Sequence, residues 1–180
     1  MDLSRRGVER RPCLAFWGQR IDAMSTELYQ RIVDWLTENG IEFKAMSHEP
    51  TRTSEASAAA RGESVKIGGK AIVMKIDKTF RLLVLSAALK VDSRKVKDHF
   101  GTRRTRFATT EELAELTGAV PGAVPPFGAP ITNLEMYVDE SILANEKIAF
   151  NAGALTESII MSTKDYLDLV KPKVISFSQA

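Results

Sequence analysis

Residues 68–92 read GGKAIVMKIDKTFRLLVLSAALKVD, two β-rich runs, 70–76 and 80–87, separated by the short polar stretch Asp77-Lys78-Thr79. Apolar, branched residues on either side of a polar break are the signature of a β-hairpin. Alternation along the first run puts Lys70 on one face with Ile72 and Met74, and Ala71, Val73 and Lys75 on the other. Both faces are mostly apolar, and Lys70 stands where an apolar residue would be expected. Such a lysine either snorkels from the strand end into solvent or points its ammonium into a cleft beside the sheet. Gly68 and Gly69, just before it, permit close approach to the backbone.

Outward from the hairpin, helices and strands are interspersed. Leu28, Ile32, Trp35 and Leu36 share one helical face, with Ser25 as the expected cap and Gly40 as the stop. IEFKAM alternates as a strand, and TSEASAAARG offers Thr53 or Ser54 as the cap of an alanine-rich helix ending at Gly62. DSRKVKDHFG and TTEELAELTG read as short capped helices. After a proline- and glycine-rich loop come the extended stretches LEMYVD, EKIAFNAG and ESIIMS, the helix TKDYLDLV and a last short strand, KVISF. The regular βαβ spacing of a doubly wound sheet is absent, and there are no internal repeats. The pattern predicts an α+β domain built on a mixed, curved β-sheet.

The 180 residues are 44% hydrophobic and 27% charged, enough for one good core. A formal net charge of +2 permits a polyanionic partner without requiring one. Cys13 is the only cysteine, which excludes an internal disulfide and a cysteine-based metal site and fits a reducing cytoplasm. Residues 1–23 carry five arginines and an apolar run too short for a signal peptide, and no run of 18 apolar residues occurs, so neither export nor a membrane is expected. Those residues read as a basic N-terminal extension or as a start-site artefact ahead of Met24, with the domain over 24–180.

Two further stretches carry more than scaffold. Residues 117–130, TGAVPGAVPPFGAP, hold three glycines and four prolines, a stiffened loop that either covers a sheet edge or binds a ligand with the bare amides of Gly122 and Gly128. In FNAGALTES, residues 150–158, a strand ends on Asn151, Ala152 and Gly153, either an ordinary turn or a place where a ligand meets the backbone. His48, after the first strand, sits at a pocket rim or caps a turn, and Thr53 reads as a helix cap. Arg94, Lys95, Lys97, Arg103, Arg104 and Arg106 form a basic stretch that reads first as a solvated face, second as a nucleic-acid contact.

In this order, His48 and Thr53, GGKAIV with Lys70, GAVPPFG, and Asp139 ahead of IAFNAG resemble the YbaK / prolyl-tRNA-editing family of freestanding aminoacyl-tRNA deacylases, from about Met24 to the C-terminus. The resemblance implies a barrel-like mixed sheet flanked by helices. It also implies a pocket in which Lys70 is catalytic and His48, Thr53, Gly122, Pro126, Phe127, Gly128, Asn151, Ala152 and Gly153 bind substrate. The implied reaction is hydrolysis of the ester of a mischarged tRNA, with no metal or cofactor and no dedicated nucleophile; an aminoacyl-tRNA synthetase is the further partner it suggests. The residues agree, for two histidines and one cysteine compose no triad. Two other readings keep the fold without the chemistry: a nucleic-acid-binding module, which has no need of Lys70 and the glycine loops, and a small-ligand sensor, which would keep them.

Overall fold

The computed structural model of the protein describes residues 14–180, with side chains from residue 23 onward. Among them lie six α-helices and ten strands. The hairpin forms as read: β2 (Gly69–Ile76) and β3 (Thr79–Ser86) pair antiparallel from Gly69 opposite Ser86 to Ile76 opposite Thr79. The turn is tighter than expected. Thr79 is already in the strand, and Asp77 takes φ +55, the left-handed conformation that aspartate tolerates better than most residues.

This hairpin is the middle of a five-stranded mixed sheet. Beside β2 runs β5 (Thr105–Phe107), antiparallel; beside β3 run β6 (Glu135–Asp139) and then β9 (Lys173–Ile175), both parallel. Alternation sends Val73, Leu82, Val84 and Val138 to one face and Met74, Leu83, Leu85 and Tyr137 to the other. Each face is buried in its own cluster, which explains why both faces of the hairpin read apolar. A three-stranded antiparallel sheet of β1 (Phe43–Ser47), β8 (Glu157–Ser162) and β7 (Lys147–Asn151) shares the first cluster. The two sheets meet at an isolated bridge between Gly68 and Ala149. The sheets wrap a common core without closing into a barrel.

Helix α1 (Leu14–Glu38) lays Leu28, Ile32 and Leu36 onto that core. It begins eleven residues before Ser25, which is therefore inside the helix and not its cap, and it runs across the expected boundary at Met24. Residues 1–13, with Cys13 and most of the expected basic extension, lie outside the described residues. Helix α2 (Ser54–Arg61) is capped by the Thr53 hydroxyl, which accepts from the Ala56 amide at 3.1 Å, and ends at Gly62 in the αL conformation. Helices α3 (Ser93–Phe100), α4 (Thr110–Thr117) and α6 (Thr163–Val170) occupy the expected stretches, capped by Asp92, Thr109 and Ser162. Too short to announce themselves were β4 (Lys90–Val91), its partner β10 (Ser178–Gln179), β5 and the single turn α5 (Glu140–Leu143).

Candidate active site

A cleft of about 240 Å³ opens between α2, the start of β2 and the end of β7. Helix α2 contributes one stripe to it: Thr53, Ser57 and Arg61 recur every four residues and so stand on the same helical face. Lys70 enters from β2, Asn151 and Phe150 from β7, and Gly122 and Val124 from the proline-rich loop. Arg52, Arg61 and Lys70 line it, and no carboxylate does.

Lys70 is half-buried. Its ammonium donates to the Leu89 carbonyl at 2.6 Å, a bond that uses one of three N–H groups and holds the side chain across the strand end. Burial pulls its pKa below the ordinary lysine value; Glu55 opposes that shift and Lys90 adds to it. Neither simple reading of this lysine is complete, since it lies at a strand end and also borders a cleft.

Arg61 is the deeper cation, only 9% exposed. Its Nε donates to Ser158 Oγ at 2.9 Å and its Nη2 to Asn151 Oδ1 at 2.7 Å. Desolvation lowers its pKa to about 10, still charged at neutral pH. Asn151 is spoken for on most sides: Oδ1 serves Arg61 and lies 3.2 Å from Ser158 Oγ, and Nδ2 donates to the Gly122 carbonyl at 2.9 Å. It thereby ties the proline-rich loop, with Gly122 at φ +89, to the strand end.

His48 stands behind this group. Its Nδ1 lies 2.8 Å from the Glu49 carbonyl, which can only accept, so Nδ1 carries the hydrogen; in the neutral ring Nε2 then accepts from Ser158 Oγ at 2.7 Å. His48 thus reaches the cleft only through Ser158 and Arg61.

The structure brings Lys70, Thr53, Gly122 and Asn151 to the cleft wall. Pro126, Phe127, Gly128, Ala152 and Gly153 do not line it. Phe127 is fully buried, stacked edge-on against Trp35 and Phe150. The Pro126 carbonyl accepts from the Tyr166 hydroxyl at 2.8 Å. A Cβ on Gly128 would stand 3.0 Å from the Leu134 carbonyl, and one on Gly153 2.7 Å from Leu28 Cγ. Ala152 is fully buried, its amide bonded to the Glu157 carbonyl. Gly68 and Gly69 border the cleft and are also closely packed: a Cβ on Gly68 would stand 2.7 Å from the Ala87 methyl and one on Gly69 2.7 Å from Ile148 Cδ1. Asp139, fully buried, accepts from the amides of Ser141, Phe177 and Ser178 and anchors the chain end. In the basic stretch, Arg104 pairs with Asp77 and Arg106 with Glu112, and Lys95 donates to the Ser178 carbonyl. Among the described residues no cluster of histidine, cysteine and carboxylate side chains could hold a metal, and no helix is long and apolar enough to cross a membrane.

Sequence reasoning passed over Arg61, Ser57 and Ser158. An arginine closing an alanine-rich helix is ordinary, because cations are favoured at a helix C-terminus. Only the fold shows that this one turns inward.

Residues 48–169 match the model of the aminoacyl-tRNA editing domain. The chain belongs to that family. The editing domain here is 33% identical over 160 residues to the multifunctional Ser/Thr-tRNA deacylase ProXp-y of Escherichia coli K12, an alignment covering 86% of this chain and 95% of the relative. It is also 23% identical over 153 residues to the prolyl-tRNA editing protein ProX of Acetoanaerobium sticklandii, covering 82% and 93%. A crystal structure provisionally assigned to a trans-editing enzyme for prolyl tRNA synthetase superposes with a TM-score of 0.73 at 28% identity, covering 84% of this editing domain and 97% of that chain.

Proposed function

We propose that the protein is a freestanding aminoacyl-tRNA deacylase that hydrolyses the ester between a mischarged amino acid and the terminal adenosine of a tRNA in the cleft beside Lys70. The observation that carries this reading is the cleft itself: Arg52, Arg61 and Lys70 line it with no carboxylate, a lining suited to an anionic chain end carrying a polarised carbonyl. Membership of the editing family and likeness to two deacylating or editing proteins support it.

An aminoacyl ester is already activated, so orientation and charge stabilisation suffice for its hydrolysis. Lys70 keeps two N–H donors free of the Leu89 carbonyl, and these hold the ester carbonyl as negative charge develops on its oxygen. Water attacks the carbonyl carbon and gives a proton to the one free hydroxyl of the ribose, which passes its own proton to the neighbouring ester oxygen as the C–O bond breaks, so that the products are the free amino acid and the 2′,3′-diol of the tRNA end. The small polar rim of Ser57 and Thr53 against Ala149 and Val124 suits a short amino-acid side chain better than a large one. The cytoplasm, where charged tRNAs are made, is the proposed setting, with a synthetase as partner.

The test is incubation with a panel of aminoacylated tRNAs, following release of the amino acid. Deacylation of a subset carrying small amino acids is expected. Binding of tRNA with no release from any member of the panel would identify a non-catalytic module.

A further inference from the structure

Arg61 is nine-tenths buried, charged, and has no carboxylate within ion-pair distance among the described residues. Such a group is held at a cost unless an anion meets it. Its two hydrogen-bond partners, Ser158 and Asn151, are neutral. They fix the plane of the guanidinium and use two of its five N–H groups, leaving three, on Nη1 and Nη2, without a protein acceptor among the described residues. Arg61 lines the cleft, so those donors are available to what enters it.

We propose that Arg61 is the phosphate receptor of this site, holding the phosphodiester on the 5′ side of the terminal adenosine and leaving Lys70 for the ester. This rests on the reading of the cleft as the seat of a tRNA end. A permanent anion fits a permanently charged, desolvated guanidinium better than an oxyanion that exists only in passing, and the free fork of N–H groups matches phosphate bidentately. Ser158 and Asn151 are then positioning residues, and His48, hydrogen-bonded to Ser158 from behind, completes the support.

Adenosine 5′-monophosphate and adenosine serve as probes, both lacking an ester, so that binding is read apart from hydrolysis. The protein should bind the monophosphate about tenfold or more tightly than adenosine. Arg61→Gln should erase that preference while leaving adenosine affinity in place, whereas Arg103→Gln, on the exposed basic stretch, should keep it. Because Arg61 also braces Asn151 and Ser158, the unsubstituted protein gives a second readout. Its Arg61 Nε–H resonance, protected by Ser158, should shift on titration with the monophosphate and stay still with adenosine. Equal affinity for the two probes, a folded Arg61→Gln protein with the preference intact, or a silent Nε–H signal during monophosphate binding would each overturn the assignment. Phosphate preference through Arg61 in a protein that deacylates no tRNA would overturn the proposed activity and leave this inference standing.

Discussion

Lys70 and Arg61 face one cleft yet are held differently, and the difference sets what each substitution should do. Lys70 is tied by a single bond to the Leu89 carbonyl and is only half-buried, so its loss leaves little behind that needs a partner. Lys70→Ala should therefore melt close to the unsubstituted protein while aminoacyl-tRNA hydrolysis falls roughly 100- to 1000-fold, the effect of removing one donor that acts on developing charge. Single-turnover deacylation with a thermal melt alongside checks it, and undiminished turnover in a folded protein would remove Lys70 from the chemistry. The sequence singled out Lys70 because a cation on a two-faced apolar strand is unusual, but snorkelling into solvent remained open to it, and only the fold sets it beside the cleft. Arg61 was not singled out, because its spacing is that of any helix-ending arginine and only the docking of α2 against β7 and β8 turns it inward.

At the level of elements, strand and helix positions followed from periodicity and caps. The hairpin, the α2 cap at Thr53 and the Ser162 cap of α6 are local chemistry, written within a few residues of where they act. What was not legible is which glycines meet a ligand and which meet the protein, since that depends on contacts between segments far apart in sequence. Gly153 is the clearest case. It sits at φ +84 with Leu28 of α1 packed where a Cβ would stand, so Gly153→Ala combines a left-handed backbone with an overlap against the first core helix. A cost of about 2–4 kcal/mol is expected from the two effects together, which for a chain of this size lowers Tm by roughly 5–15 °C. The folded fraction should keep its specific activity, because this glycine does not line the cleft. Calorimetry with active-fraction titration decides it, and full stability with lost activity would return Gly153 to the binding site. The start of α1 offers a companion test. Since Leu28, Ile32 and Leu36 all follow Met24, a chain begun at Met24 should dock this helix and retain deacylation within about twofold; a large loss of thermal stability would place part of the domain before it.

Across the whole molecule, the two buried faces of the five-stranded sheet are closed by different parts of the chain, and Asp139 fastens the second. Phe177, fully buried, plugs the cluster of Met74, Leu83, Leu85 and Val96, and the short segment that carries it is tied on one side to β4 and the start of α3, where the Asp92 amide donates to the Phe177 carbonyl, and on the other to Asp139. One carboxylate oxygen of Asp139 accepts from the amides of Phe177 and Ser178, at 2.7 and 2.9 Å, while the other caps α5 through the Ser141 amide at 2.9 Å. Burial alone would raise the pKa of this group, but the hydrogen bonds from Ser141, Phe177 and Ser178 outweigh it and hold the carboxyl below its ordinary value. The sign of the pH dependence follows: a carboxylate whose folded pKa lies below its unfolded value of about 3.9 contributes its full stabilisation above about pH 5 and loses it as pH falls through the folded value. Asp139→Asn keeps one acceptor oxygen and turns an NH₂ toward amide donors, so about 2–4 kcal/mol should be lost at pH 7, from hydrogen bonds to a charged acceptor worth about 1.5–3 kcal/mol each. The gap between the two proteins should narrow as the buffer is taken from pH 5 toward pH 3, because acid removes from the unsubstituted protein what the substitution has already removed. Urea unfolding at a series of pH values measures both curves. A gap that stayed constant down to pH 3 would mean that the carboxylate charge does not hold the chain end, and that the packing of Phe177 alone closes that face.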